Sequence, residues 1–316
     1  MKIVSAFNRD ERLQQQLQKD FPNVQFTFYK NMKELGDSII DADVLLTFGE
    51  DVTEDIIDSA KKLNWIMVFS AGLEKLPHEK LMERNILVTN ARGIHKIPMA
   101  EFAFAYMLQY AKQLETFNKQ QDECIWNRQL PLRELYGSTL VVVGAGAIGS
   151  QIAKYGRTFG MKTIGINSSG KPVEEFDEIY PMSELKSALT MGDYIISVLP
   201  STKATNGVFQ KEQFEAMKNS AVFINMGRGN AVNETDLMEA LENDELAHAF
   251  LDVYQVEPLP TDHPFWKSNK VTMTPHLSAI SDQYVPRAME IFRHNLTVYL
   301  NGGNDYINKI DLRRGY

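Results

Sequence analysis

The sequence predicts an α/β protein built from two doubly wound parallel sheets, and three observations carry that prediction. In the first part of the chain, short apolar runs rich in β-branched and aromatic residues alternate with stretches of helical spacing. A second alternation follows, opened by three glycines spaced Gly144-x-Gly146-x-x-Gly149 between an apolar run and a helical one. At 316 residues the chain is long enough for two cores rather than one.

Taken in order, residues 2–7, 24–30, 43–48, 65–69 and 86–89 read as strands, with helices at 10–21, 54–63 and 78–84. No three-glycine turn occurs among them, so they form a different domain from the one that follows. From residue 97 to about 123 the pattern becomes one long amphipathic helix, entered through Pro98 and polar at its far end. Such a helix serves as a bridge between domains, as a dimer contact or as a plain core helix. A loop with Trp126 and Pro131 leads to residues 139–143, the β-branched run of a fully buried parallel strand. Further strands are expected at 162–166, 194–199, 221–225, 249–253 and 270–274. Asn233, with Asp236 three residues on, is the expected N-cap of a helix running through Leu241. A last helix spans roughly 281–300, and the polar tail 305–316 is expected to pack back onto the first domain.

Composition narrows the function. Hydrophobic residues make up 44% and charged residues 23%, as in ordinary soluble globular chains. The net charge of −8 argues against nucleic acid and anionic membrane as partners. No stretch reads as a signal peptide or reaches membrane-spanning length. The single cysteine, Cys124, excludes an internal disulfide framework, and its acidic setting marks it as structural or incidental; a cytoplasmic location is expected. No cluster of His and Cys has metal-ligand spacing, so no metal is expected.

Each glycine of the turn has its own task. Gly144 permits the tight strand-to-helix turn, Gly146 lets a pyrophosphate approach the backbone, and Gly149 lets helix and strand pack closely. The N–H groups and positive dipole end of the helix then face the phosphates, so the turn predicts a bound dinucleotide. In open parallel sheets ligands lie beyond the carboxyl ends of the strands, and the unusual polar residues of the second half fall at such ends. Asn167 and Ser168 follow one strand, Pro200 another, Arg228 a third, Asp252 and Glu257 a fourth, and His276 a fifth.

Arg228, on the glycine-flanked turn Asn225-Met-Gly-Arg-Gly229, offers a planar fork of donors suited to gripping a carboxylate. Of the six histidines, only His95 and His276 lie in segments fit to line a crevice. A carboxylate fixes the tautomer of a histidine and sustains its charge, so Glu257 and His276 are a candidate acid/base pair. With Arg228 holding the substrate, this is the chemistry of a 2-oxo acid reduced by hydride. The plainer alternatives are a surface salt bridge for Arg228 and a solvated carboxylate for Glu257.

Eight segments together resemble the D-2-hydroxyacid dehydrogenase family, the relatives of glyoxylate/hydroxypyruvate reductase and phosphoglycerate dehydrogenase. They are Phe69-Ser-Ala-Gly-Leu73, Asn90-Ala-Arg-Gly-Ile94, Pro98-Met-Ala-Glu101, the glycine turn, Leu199-Pro-Ser-Thr202, the Arg228 turn, residues 252–260 and Thr274-Pro-His-Leu-Ser278. The likeness covers nearly the whole chain. It implies a discontinuous, flavodoxin-like substrate domain of residues 1–95 plus 281–316, with a Rossmann dinucleotide-binding domain of residues 96–280 inserted in it and an active site in the cleft between.

The resemblance also implies residue roles in a reversible reduction of a small 2-oxo acid to a D-2-hydroxy acid by NAD(P)H. Arg228 would bind the carboxylate and polarise the carbonyl, His276 would protonate the carbonyl oxygen, and Glu257 would hold the imidazolium. Backbone N–H groups of Ala71 and Gly72, flanked by Ser70 and Leu73, would grip the carboxylate a second time. On the cofactor side it implies contacts from Met99, Ala147, Ile148, Leu199, Pro200, Thr205, Met226, Gly227, Asp252, His276 and Ser278. Among these, the Met226 carbonyl and the Asp252 carboxylate would hold the nicotinamide carboxamide. A homodimer is implied too, with the long helix after Pro98 as its interface candidate.

An NAD-preferring domain carries Asp or Glu about twenty residues after the glycines. This chain has Asn167-Ser-Ser-Gly-Lys171 there, with no carboxylate to repel a 2′-phosphate. The hydroxyls of Ser168 and Ser169 and the Lys171 ammonium are suited to accept one, so NADP(H) is the expected cofactor. The missing arginine keeps NAD(H) as the alternative. A different reading of the whole chain is a cofactor-sensing binding protein with little turnover, resembling the corepressors of this family. The lack of a basic or low-complexity extension favours the enzyme. A family member acting on formate or phosphite is a third reading and would need a different first-domain pocket.

Overall fold

The computed structural model describes residues 1–8, 11–73 and 75–313. The chain divides into two compact units, one of Met1–Ile94 with Ser281–Tyr316 and one of His95–Ile280. His95, which sequence grouped with the first domain, falls in the second unit, where its carbonyl accepts the Met99 N–H at the start of a helix.

The first unit is a five-stranded, wholly parallel sheet. Its strands are β1 (Lys2–Ser5), β2 (Gln25–Phe28), β3 (Val44–Thr47), β4 (Trp65–Val68) and β5 (Leu87–Asn90), in the order β2-β1-β3-β4-β5. This is the flavodoxin-like order of a doubly wound sheet. Every residue of β3 and β4 is buried, because helices cover both faces of the sheet. Alternate residues feed two cores. Leu45, Ile66 and Val88 pack with Ile57 and Leu81 on one side, while Val44, Trp65 and Met67 pack with Phe292 and Leu296 of helix Tyr284–Leu300 on the other. Trp65 stacks near Tyr299 (5.4 Å between centroids) and donates its indole N–H to Thr89 Oγ1 at 2.9 Å. The tail then lies along β5, where the Ile310 N–H donates to the Val88 carbonyl at 2.9 Å. The helix expected at 10–21 is Glu11–Asp20, its first expected residue lying outside the described residues. A one-turn helix at Met32–Leu35, capped by Asn31, was too short to show a period in the sequence.

The second unit is a seven-stranded parallel sheet of β6 (Thr139–Val143), β7 (Lys162–Asn167), β8 (Glu178–Pro181), β9 (Tyr194–Ser197), β10 (Val222–Asn225), β11 (His248–Leu251) and β12 (Val271–Met273). The order β12-β11-β10-β9-β6-β7-β8 reverses at β6/β9, so the switch point of the sheet adjoins the glycine turn. Strand β8 was not foreseen. It is a half-buried edge strand, Glu-Ile-Tyr-Pro, without an apolar run.

The long helix expected over 97–123 is corrected to two, Lys96–Ala111 and Leu114–Asp122. They part at Gln113, which takes a left-handed conformation with φ 55°. The two differ in burial. Eight of the sixteen residues of the first, from Pro98 to Ala111, are buried in the core of the unit, while the second helix buries none. Among the described residues no helix is long and apolar enough to cross a membrane.

Candidate active site

The glycine turn is built by close approach. Gly144 has φ +111°, and a Cβ there would lie 3.0 Å from the Val198 carbonyl oxygen. A Cβ on Gly149 would overlap the Gly144 carbonyl, so helix Ala147–Thr158 can sit this close to β6 only with glycine at that position. At Gly146 a Cβ would meet nothing within 4 Å, and Gly146 and Ala147 are exposed. An α-helix leaves its first N–H groups without intrahelical partners. An open backbone at such an end fits a pyrophosphate.

Strand β7 ends at Asn167, and this asparagine spends its side chain on its own loop. Its Oδ1 accepts the N–H groups of Ser169 (3.0 Å) and Gly170 (2.7 Å), and its Nδ2 donates to the Lys171 carbonyl at 2.9 Å. Ser168, Ser169 and Lys171 are exposed on the loop so formed. Thr205 likewise works within the chain, its hydroxyl donating to the Pro200 carbonyl at 2.6 Å and so closing the loop after Leu199. Met99 and Met226 are buried in one core cluster with the partly buried Ile148 packed against it.

Arg228 follows β10 on a turn pinned from within. The Asn225 Nδ2 donates to the Arg228 carbonyl at 3.1 Å, and the Arg228 Nη1 donates to the Gly227 carbonyl at 3.0 Å. The flanking glycines are demanded by packing. A Cβ on Gly227 would lie 2.6 Å from the Leu199 backbone, and one on Gly229 would overlap the Tyr254 carbonyl group. Three strand-end loops are therefore drawn together at the Arg228 turn. His95 is buried nearby, and burial first, then the Arg228 charge, pushes its pKa down to about 4, so it is a neutral imidazole at physiological pH.

The structure brings His276 and Glu257 together, with the His276 Nδ1 2.8 Å from the Glu257 Oε2. The other oxygen, Oε1, accepts the Tyr254 N–H at 3.0 Å, which fixes the carboxylate in place. A carboxylate only accepts, so the Nδ1 carries a proton and the Nε2 is left to exchange one with a ligand. The ring is half-exposed, and its backbone has φ 55°. Asp252 is fully buried behind it. Its Oδ1 accepts the Thr274 hydroxyl and the Leu277 N–H (2.8 Å), and its Oδ2 accepts the Ser278 N–H (2.9 Å). Three donors of the chain thus occupy most of the carboxylate that sequence had offered to a nicotinamide.

In the other unit, the loop after β4 is shaped by its own polar groups. Ser70 Oγ lies 2.9 Å from the Phe48 carbonyl and 3.0 Å from that of Gly72, and the Asn90 Nδ2 donates to the Ala71 carbonyl at 3.0 Å. Those bonds fix the turn that carries the Ala71 and Gly72 N–H groups. Leu73 is a core residue there, buried with Leu76 and Val68. Sequence reasoning gave no role to Tyr254, Thr274, Asn225 or Asn90, although all four lie inside motifs it quoted.

Fold and turn together define a dinucleotide-binding α/β protein. Residues 104–278 match the family model for the D-isomer specific 2-hydroxyacid dehydrogenase, NAD binding domain. A D-3-phosphoglycerate dehydrogenase of Methanocaldococcus jannaschii is 33% identical over 85% of this chain, which spans 52% of that longer protein. A glyoxylate reductase of Korarchaeum cryptofilum is 28% identical over 85% of this chain and 83% of its own. The crystal structure of a D-isomer specific 2-hydroxyacid dehydrogenase family protein from Aeromonas salmonicida is 32% identical and superposes with a TM-score of 0.88, covering 98% of this chain and 99% of that one. The chain belongs to the D-isomer specific 2-hydroxyacid dehydrogenase family, and its His95–Ile280 unit carries the family's NAD-binding domain.

Proposed function

We propose that this protein reduces a small 2-oxo acid to the D-2-hydroxy acid, reversibly, with NADPH as the preferred cofactor. The observation that carries the reading is the His276–Glu257 pair, 2.8 Å apart, at strand ends of the dinucleotide-binding unit. The cofactor supplies the hydride when bound. Arg228 grips the substrate carboxylate and draws electron density from the carbonyl. His276 delivers a proton to the carbonyl oxygen from its Nε2, while Glu257 holds the imidazolium through Nδ1. In the oxidative direction the same histidine takes the proton back.

The 2′-phosphate falls to the Ser168, Ser169 and Lys171 loop, which offers hydroxyls and an ammonium and no carboxylate. A second copy of the chain is the proposed partner. Leu114, Phe117, Ile125, Trp126 and Leu132 are all exposed, Trp126 to 92%, and they form the apolar surface suited to that contact. The deciding experiment is a panel of glyoxylate, hydroxypyruvate and bulkier 2-oxo acids, each followed by loss of NADPH or NADH absorbance. Turnover that is lost in His276→Asn supports the reading, and a purified protein inert toward every 2-oxo acid refutes it.

A further inference from the structure

The loop carrying His276 is held by a directed chain of hydrogen bonds whose far end lies on helix Lys96–Ala111. Asp252 accepts from Thr274 on one side of the histidine and from Leu277 and Ser278 on the other, so one buried carboxylate ties both flanks of the loop. The direction of the chain follows from proton counting. Thr274 has one hydroxyl proton, a carboxylate can only accept, and that proton therefore goes to Asp252. The Tyr106 phenol lies 2.5 Å from the same hydroxyl oxygen and must be the donor to it.

Burial raises the Tyr106 pKa well above the ordinary phenol range, so it remains a donor at physiological pH. Its ring is itself immobilised, stacked on Phe250 at 4.6 Å and edge-on to Phe102 at 5.1 Å. Thr274 is gripped at its backbone as well. Its N–H donates to the Leu251 carbonyl (2.9 Å), and its carbonyl accepts the Tyr254 hydroxyl (3.0 Å). Two residues on, His276 takes a positive φ that a non-glycine residue keeps only when its surroundings hold it.

We propose that Thr274 and Tyr106 are positioning residues for proton transfer at His276, with the sequence Tyr106 hydroxyl to Thr274 hydroxyl to Asp252 carboxylate fixing the imidazole where it meets the carbonyl oxygen. The inference rests on the acid/base role proposed above for His276. Neither residue touches the substrate. Their effect is on kcat, because a misplaced proton donor slows the chemical step while the guanidinium that binds the acid stays where it was.

The test uses Thr274→Val, Thr274→Ser and Tyr106→Phe in the full chain, with His276→Asn beside them. Thr274→Val is expected to lower kcat on the order of tenfold to a hundredfold, with the KM for the 2-oxo acid within about twofold of wild type. Thr274→Ser keeps the hydroxyl and is expected to restore kcat, and Tyr106→Phe to lower it several-fold at unchanged KM. Amide exchange at Leu277 and Ser278 should quicken in Thr274→Val and not in Thr274→Ser. Wild-type kcat in Thr274→Val, or an equal loss in the serine variant, overturns the inference. If Thr274→Val does not fold, Tyr106→Phe, which removes one oxygen and opens no large cavity, carries the decision, and an unchanged kcat overturns the inference. Full turnover in His276→Asn sinks the acid/base reading itself. Loss there with wild-type kcat in the other variants sinks only the present inference.

Discussion

Replacing Asp252 with asparagine perturbs the brace of the histidine loop with the least change in shape. The carboxylate is fully buried and accepts three hydrogen bonds. In the best orientation the amide oxygen takes the place of Oδ1 and keeps Thr274 and Leu277. The amide NH2 then faces the Ser278 N–H, donor against donor. The buried Ser278 N–H loses its partner, at about 1–3 kcal/mol, and the two retained bonds drop from charge-assisted to neutral strength, about 1 kcal/mol each. Removing a buried charge returns part of its desolvation cost. A net destabilisation of about 2–3 kcal/mol is expected, confined to the His95–Ile280 unit. Urea unfolding followed by circular dichroism measures the loss, and amide exchange locates it at 274–278. Unchanged midpoints together with unchanged protection at Leu277 and Ser278 would refute the reasoning.

Gly229→Ala drives a methyl group into the Tyr254 backbone, which cannot swing aside as a side chain does, so the Arg228 turn must move. The KM for the 2-oxo acid is expected to rise about tenfold or more by the criterion of lost carboxylate binding, measured by steady-state kinetics. Ser168→Asp puts a carboxylate where the 2′-phosphate is expected, and the KM for NADPH should rise while that for NADH holds or falls. An unchanged preference contradicts the selectivity assignment. His95 is buried and His248 half-buried, and desolvation pushes both pKa values down from 6.5 to about 4. The unfolded chain therefore takes up these protons first, and the stability present above pH 6.5 is lost as pH falls toward about 4, at most about 3 kcal/mol for each. Replacing both with glutamine should flatten that slope in denaturant midpoints taken across this window. Trp126→Ser should weaken association of the chain in sedimentation velocity, and an unaltered profile would count against the proposed contact.

The sheets were legible because of where they lie. A parallel strand covered on both faces must be apolar at nearly every position, and β3, β4, β9 and β10 are buried throughout. Strand β8 escaped notice because it is an edge strand with every residue half-buried. The helix break at Gln113 was hidden for a different reason. No glycine or proline marks it, and Leu114 and Phe117 continue the apolar spacing. Contacts distant in sequence flank the turn there, the Arg133 N–H donating to the Ala111 carbonyl and the Lys112 ammonium to the Arg133 carbonyl, each at 2.8 Å.

The candidate site divides in the same way. Residue type and strand-end position brought Arg228, Glu257 and His276 forward, since only certain groups can grip an acid or carry a proton at neutral pH. A motif records that a polar residue is present and not who receives its hydrogen bonds. Asn167, Thr205, Ser70 and Asp252 all looked like ligand contacts, and each has hydrogen bonds committed to its own chain.

By itself the sequence determined two parallel sheets, the three-glycine turn and the chemical types gathered at the strand ends, because these depend on local pattern and on side-chain chemistry. Only the tertiary structure decided which carboxylate serves which partner. Glu257 reaches His276 across 19 positions of sequence, and Asp252 reaches Ser278 across 26. Those pairings arise from neighbouring strands delivering their loops to one edge of the sheet, and no local spacing encodes that.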